Sequence, residues 1–405
     1  MNKILLLTPM LHQGGFERVC VETARLLETE YDVTIAVFNL EDLAFDIEGL
    51  KVIDLKVPVK DSKIGKIINV FKRTWALSKL YKEAGIETVY SFGITANRIA
   101  ALSNGSYISA QGEKVRVKKI LACHSFEEVK DGKYMKLLSK RGDSLICCSK
   151  KMTQMSEKLH NIKDVVTIWN PFDVEKIQQQ ALQLVDFPVT APDGNADNVK
   201  GPQLVTMGRE DDVKGYWHLL KAFVRVHEKY PDATFTLIGD GEFLDLKKMA
   251  IEAGVTDWVN FIGHKLNPFP YVKNSDIYVL SSISEGLPMA LVEAMSLGLP
   301  VVSTNCLSGP AEILSDDFEM AEIQKGVYLA DYGILTTPFD WEKDTRILVR
   351  ENNTINLTSE EEDLAEAIMK LWKDKALYER YSKAGPQRVK DFSKDNYKAE
   401  LVKLL

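Results

Sequence analysis

The stretch SEGLPMALVEAMSLGLP, residues 284–300, carries two glutamates eight apart, Glu285 and Glu293, around a Gly, a Pro and an apolar run. The apolar run IYVLSS before it reads as a strand. Pro288 suits a first helical position, where a missing N–H costs nothing. The pattern predicts a helix from Met289 to about Leu297, stopped by Gly298. Glu285 then stands in the loop at the helix mouth, and Glu293 more than a turn inside. A helix N-terminus offers free N–H groups and a positive dipole end to a phosphate. A carboxylate beside it suits hydroxyl groups, as in the acid–ribose pairing of dinucleotide sites. The expected chemistry is a phosphate flanked by sugar hydroxyls. Taken alone, however, the two acids read more readily as a solvated loop acid and an exposed helix residue.

Further clusters change that balance. VTMGREDDVKGYWHLLKAF reads strand, loop, helix, with Arg209 leaving the strand and Lys214 preceding the helix. A guanidinium and an ammonium converging on a cleft suit a pyrophosphate; the alternative is two surface cations paired with Glu210, Asp211 and Asp212. In TPMLHQGGFERV, Gly14 and Gly15 end a strand and open a helix near Phe16, where bare backbone can approach a phosphate. His124, in ILACHSF, falls at the carboxyl end of a strand, where α/β folds place their sites. A packed or capping histidine is the competing reading.

The elements that must position these residues recur as short β-branched runs between helical patterns. They are KILLLTP, DVTIAVFN, TVYSF, KKILACH, SLICCS and VVTIWNP, then QLVTMGR, TFTLIGDG, VNFIGH, IYVLSS and PVVSTNC. Near-continuous apolar strands alternating with helices imply parallel sheets buried on both faces. The Pro-, Gly-, Asp- and Asn-rich stretch 182–202 breaks the pattern and reads as a linker. With 405 residues, two domains are expected. The domains expected are 1–175, a linker at 176–202, and 203–385. A helical tail at 386–405 follows, for which a return to the first domain is open.

Composition narrows the class. The chain is 45% hydrophobic and 27% charged, ordinary for a soluble globular protein. The apolar run at the N-terminus is too short for a signal-peptide core, and no stretch approaches the ~18 apolar residues of a membrane span. Five scattered cysteines, with no zinc-site spacing, read as free thiols of a reducing cytoplasm. Residues 1–175 carry 26 Lys and Arg against 22 acids, and residues 176–405 carry 25 against 36. A basic half suggests an anionic partner, and no recognition motif supports nucleic acid.

Within the basic half, residues 56–82 carry eight Lys and Arg and one acid. Ile64, Ile67, Ile68, Phe71, Trp75 and Leu80 are interleaved among them, helically spaced from Ile64 to Phe71. Such a segment can lie on an anionic bilayer and present a lipid-linked acceptor. The alternative is a domain helix whose apolar stripe is core and whose lysines are solvated.

The set GGFER (14–18), IWNPFD (168–173), MGREDDVKG (207–215), IGDGE (238–242), FIGH (261–264), SEGLPMALVEAMSLGLPVV (284–302) and SGPAEIL (308–314) resembles glycosyltransferase family 4. YGILT (332–336) and AGPQRVKDFS (384–393) match in place. The match is strong over 200–315 and diffuse over 20–165. Phe16 departs from the family's usual small residue.

The resemblance implies a GT-B fold: two Rossmann-like, doubly wound parallel-sheet domains facing across a cleft, the first reading the acceptor. It implies a retaining, metal-independent transfer of a sugar from a nucleotide-diphosphate sugar, UDP-sugar by default. The acceptor implied is a saccharide built on a lipid carrier for a surface glycan. By the same resemblance Glu285 contacts the donor sugar and Glu293 the ribose hydroxyls. Arg209 and Lys214 clamp the diphosphate, with Gly14 and Gly15 against the same phosphates. Gly263, His264 and Lys265 cradle the base, Gly286 and Leu287 hold sugar or phosphate by their N–H groups, and His124 faces the donor sugar. No cofactor is expected and no metal, since no Asp-x-Asp pair occurs. The expected location is the cytoplasm, peripheral on the inner face of the membrane.

Front-face substitution, in which positioning and electrostatics carry the reaction, needs no strong base. Rival readings are a nucleotide-sugar epimerase or hydrolase of the same fold, and a non-catalytic nucleotide-sugar-binding subunit. A nicotinamide-dependent oxidoreductase is disfavoured by the incomplete glycine loop and by the lack of an acid after DVTIAVFN.

Overall fold

The structure, a computed structural model, describes residues 1–12, 14–41, 43–60, 62–184, 201–347 and 355–405. Most of the expected linker therefore lies outside the described residues. Its start is the helix Val174–Gln180, capped by the Asp173 carboxylate. The chain forms two units, Met1–Pro171 with Phe392–Leu405, and Phe172–Asp391.

The first unit is built on a seven-stranded sheet. Its strands are β1 (Lys3–Thr8), β2 (Asp32–Val37), β3 (Val52–Asp54) and β4 (Thr88–Phe92), then β7 (Lys118–Cys123), β8 (Ser144–Cys147) and β9 (Val165–Thr167). Between β4 and β7, β5 (Ser106–Ile108) and β6 (Lys114–Arg116) form a separate antiparallel hairpin. The sheet order is β3-β2-β1-β4-β7-β8-β9, and every neighbouring pair is parallel. The chain runs from β1 through β2 to β3 on one side, then crosses back to β4 on the other side of β1, so a topological switch point lies between β1 and β4. Leu5, Leu6, Leu7, Val89, Ile120 and Leu121 are fully buried, as strands covered on both faces should be.

The C-terminal helix Lys394–Val402 belongs to this unit. Its Tyr397 is buried, with the hydroxyl 2.7 Å from Thr23 Oγ1 and 3.4 Å from the Tyr90 hydroxyl. Phe392 packs on Trp169, ring centroids 4.7 Å apart.

The helix Lys63–Ala84 is capped by Ser62, whose Oγ accepts from the Gly65 N–H at 3.0 Å. The stripe Ile64, Ile67, Ile68, Phe71 and Trp75 is exposed, so it is not core. Leu80, grouped with it from the sequence, is buried. The reason is angular: sixteen residues at about 100° each carry Leu80 to the opposite face from Ile64.

The second unit repeats the plan. Its strands are β10 (Gln203–Met207), β11 (Thr234–Ile238), β12 (Val259–Phe261), β13 (Ile277–Leu280), β14 (Val301–Thr304), β15 (Tyr328–Leu329) and β16 (Ile334–Thr336). The order is β12-β11-β10-β13-β14-β16-β15, parallel except for the β15–β16 edge pair. The switch point lies between β10 and β13. All eleven apolar runs singled out in the sequence contain strands.

Candidate functional site

In the second unit the sequence-predicted residues gather at the carboxyl ends of β10, β12 and β13. β13 ends in Ser281–Ser282, and the loop that follows carries Glu285 to the helix Met289–Ser296. Pro288 is the residue that caps this helix, at φ −70° and ψ 94°, rather than its first helical residue. Leu297 is the C-cap, and Gly298 follows at φ 79°.

After β10, a short 3-10 turn, Asp212–Lys214, leads into the helix Tyr216–Lys229. Gly215 joins them at φ 59°, and an added Cβ there would collide with the Ser281 carbonyl oxygen. Only glycine lets the two loops approach so closely. Ser281 Oγ donates to the Lys214 carbonyl at 2.8 Å, which fixes the lysine's backbone to the end of β13.

Lys214 Nζ then donates to Glu285 Oε1 at 2.8 Å, and Ser282 Oγ donates to the same oxygen at 2.7 Å. The lysine and glutamate side chains are 23% and 12% exposed, so the pair is sheltered without being sealed. The Arg209 guanidinium is 63% exposed and binds Asp211 Oδ2 through Nη2 at 3.1 Å and Nε at 3.3 Å. The other acids of this loop serve elsewhere. Glu210 accepts from the Phe243 N–H at 2.9 Å, and Asp212 takes Lys343 at 2.9 Å.

Two tyrosines draw the cluster together. The Tyr216 hydroxyl is buried with no hydrogen-bond partner among the described residues, close enough to Glu285, Asp211 and Arg209 to feel their charges. Burial first, then Tyr278 and those two acids, push it well above the ordinary phenol range. The Tyr278 hydroxyl accepts from the Met207 N–H at 3.4 Å and feels both Glu293 and Glu285. Glu293 is buried, at 6% exposure, so it is no solvated helix residue. Gly286 and Leu287 are buried at the helix mouth, where Ser308 Oγ donates to the Gly286 carbonyl at 2.8 Å. Gly309, at φ 102°, packs so tightly on Pro288 that a Cβ would strike its ring. The SGP and GLP segments are thus built against each other. Gly263, His264 and Lys265 follow β12. The Gly263 carbonyl accepts from Gly239 N–H at 3.1 Å, His264 is exposed, and Lys265 Nζ lies over the Tyr271 ring at 5.6 Å.

In the first unit, Gly14 and Gly15 follow β1 and His124 follows β7, again at carboxyl ends. Gly14 caps the helix Gly15–Leu27 in extended backbone. The Phe16 ring lies 6.3 Å from His124, and Phe92, the last residue of β4, stacks on the same imidazole at 5.7 Å. Among the described residues, both ring nitrogens of His124 and Oδ1 of Asn170 are buried with no partner at hydrogen-bond distance and geometry. Burial pushes the histidine down to about 4, and Asn170 acts weakly the other way. The ring is therefore neutral at physiological pH.

Beneath it runs a network that sequence reading missed. Glu128 Oε1 accepts the N–H groups of His124 and Ser125 at 3.0 and 3.2 Å, and Glu128 Oε2 accepts from the Tyr134 hydroxyl at 3.0 Å. Asn97 Nδ2 donates to the Ala122 carbonyl at 2.7 Å and to Tyr134 Oη at 3.0 Å. Burial raises Glu128 to about 7. The Ser-x-x-Glu spacing of a capping box was the available signal.

Residues 190–331 match the family described as Glycosyl transferases group 1. The chain is 31% identical to an uncharacterized glycosyltransferase of Methanocaldococcus jannaschii over 351 residues, 83% of this chain and 80% of the relative. It is 23% identical over 333 residues, 78% of this chain and 84% of the relative, to an enzyme of Campylobacter jejuni. That relative is the N-acetylgalactosamine-N,N'-diacetylbacillosaminyl-diphospho-undecaprenol 4-alpha-N-acetylgalactosaminyltransferase. Among solved structures, Anabaena HepE in complex with UDP and glucose is similar with a TM-score of 0.70 at 17% identity. That likeness covers 100% of this chain and 99% of HepE. The fold is GT-B, and the chain belongs to the glycosyl transferases of group 1, as its resemblance to glycosyltransferase family 4 implied.

Proposed function

We propose that this transferase moves a sugar, with retention, from a nucleoside-diphosphate sugar to a saccharide carried on a lipid. The Lys214–Glu285 pair at the β10/β13 switch point carries the reading. It supplies a cation and a carboxylate at the mouth of a helix, where diphosphate and sugar hydroxyls must both be met. In this reading Lys214 and Arg209 neutralise the charge that grows on the leaving diphosphate, without a metal ion. Glu285 orients the donor sugar, Gly286 and Leu287 offer their N–H groups, and Glu293 binds the ribose. The segment Gly263–Lys265 lies along the base. Gly14, Gly15 and neutral His124 serve the donor from the first unit. The acceptor hydroxyl attacks on the face from which the diphosphate leaves, and the departing oxygen takes its proton.

UDP is the proposed nucleotide, supported by the UDP bound to HepE. A lipid-diphosphate acceptor is supported by the undecaprenol named for the Campylobacter relative. Such an acceptor sits at a membrane, so the transferase works there peripherally, on the cytoplasmic face, with residues 56–82 toward the anionic surface. No described helix is long and apolar enough to cross a bilayer.

Thermal-shift measurements with UDP, GDP and ADP test the donor, because a ligand that binds only the native state raises the midpoint. A rise with UDP alone is expected, and no rise with any of the three overturns the reading. NMR of the product's anomeric proton then tests retention.

A further inference from the structure

The helix Lys63–Ala84 is inside out over its first three turns. It buries Gly65, Asn69 and Arg73 and exposes Ile64, Ile67, Ile68, Phe71 and Trp75. The buried polar groups are satisfied locally. Asn69 Nδ2 donates to the Pro58 carbonyl at 2.6 Å, and Arg73 donates to the Val57 carbonyl through Nη2 at 2.8 Å and Nε at 3.0 Å. The Arg73 guanidinium also lies over Phe38, 4.4 Å from the ring centroid. These bonds fix the helix's rotation, so the apolar face is not free to roll inward.

The outward residues recur at i, i+3, i+4, i+7 and i+11 and fill an arc of about 100°. Their exposures run from 42% at Ile68 to 72% at Ile64 and Phe71. Water gains nothing from a ridge of that kind, and five large side chains in one line are more than scattered surface apolarity. Lys63 flanks the ridge at its start, and Lys72 and Lys79 flank it further on, all exposed. Lys79 Nζ stands 5.5 Å over the Trp75 ring.

We infer that this ridge inserts into the interfacial layer of an anionic bilayer, with the helix parallel to the surface and the flanking lysines at headgroup level. The inference deepens the peripheral-membrane reading above by naming the inserted residues and by making insertion the source of retention. Insertion differs from adsorption by charge, because apolar burial is not screened by salt whereas lysine–headgroup attraction is. Charge also selects the occupant. With eight cations and one acid over residues 56–82, two copies laid ridge to ridge would repel, whereas anionic headgroups neutralise them.

Co-sedimentation of the whole chain with vesicles of phosphatidylcholine, with and without phosphatidylglycerol, tests this without donor or acceptor. Binding to the phosphatidylglycerol vesicles is expected, with at least half of it retained in 0.5 M salt. The double variant Ile67→Ser, Phe71→Ser should bind at least tenfold more weakly at an unchanged melting temperature. Quenching by brominated lipid should fall when Trp75 is replaced by Phe. Three outcomes overturn the inference: no binding to either vesicle, equal binding by the serine variant, or a dimer in light scattering that the serine variant abolishes. Vesicle binding with no thermal shift from UDP, GDP or ADP would refute the proposed function alone, and a shift without vesicle binding would refute this inference alone.

Discussion

Lys214 Nζ lies 2.8 Å from Glu285 Oε1, and the contact joins the loop after β10 to the loop after β13. Under the proposed function, this mutually satisfied cation and anion are held where a ligand carrying phosphate and hydroxyl together would bind. The pair is partly desolvated, so breaking it from one side leaves the other charge costly.

Lys214→Ala is therefore expected to lower turnover by ~10²-fold or more, consistent with removal of one charge partner of the leaving group. It should also cost about 1–3 kcal/mol of stability through the orphaned Glu285. Lys214→Ala combined with Glu285→Gln should recover most of that stability and none of the activity. Urea unfolding beside initial-rate assays separates the two. Full activity in either variant would remove Lys214 from the site.

Glu293→Ala tests the ribose. Loss of a charged acceptor for a ligand hydroxyl should weaken UDP about 10- to 100-fold, with uracil-free ribose phosphate weakened in parallel. Isothermal titration measures both. Unchanged affinity for UDP would contradict the assignment.

Gly215→Ala should be severe for so small a change. The residue would have to hold φ 59° and place its Cβ against the Ser281 carbonyl. A loss of about 1–3 kcal/mol is expected from the backbone conformation alone. Displacement of Lys214 should lower kcat further. A melting temperature and rate equal to wild type would show that the two loops tolerate separation.

His124 and Glu128 titrate in opposite senses. Glu128 is raised to about 7, so its contribution to stability is full at low pH and fades as pH rises through 7. His124 is lowered to about 4, so its contribution is full above the unfolded histidine's ordinary range and fades as pH falls toward 4. Between pH 7 and 5 each changes stability by about 2 kcal/mol, with opposite sign. Glu128→Gln should expose the histidine's part, so the variant loses stability on acidification while the parent stays nearly flat. Denaturant titrations at pH 7, 6 and 5 measure this, and parallel curves would refute it.

Much of this architecture was legible because parallel strands buried on both faces must be written almost entirely in apolar residues. KILLLT, TVYSF and IYVLSS could hardly be anything else. The strands that escaped notice are pieces of two or three residues, β3, β15 and β16 at or next to a sheet edge and β5 and β6 in the separate hairpin, too short for periodicity to register. Arg209, Lys214, Glu285, Glu293 and His124 were legible as chemistry at strand ends. Ser282 and Tyr216 were not, because a hydroxyl's role depends on neighbours brought from another strand. The Lys63–Ala84 helix shows a different limit. Period finds the apolar stripe, but the side that faces inward is decided by the carbonyls of Val57 and Pro58, which periodicity does not weigh.

The return of Phe392–Leu405 to the first unit has a consequence for biosynthesis. Tyr397 fills a buried place between Thr23 and Tyr90, some three hundred and more positions upstream. A nascent chain leaving the ribosome therefore completes Phe172–Asp391 as one uninterrupted stretch while Met1–Pro171 still lacks its final helix. The unit translated first can therefore complete its packing only after the whole of Phe172–Asp391 has been synthesised.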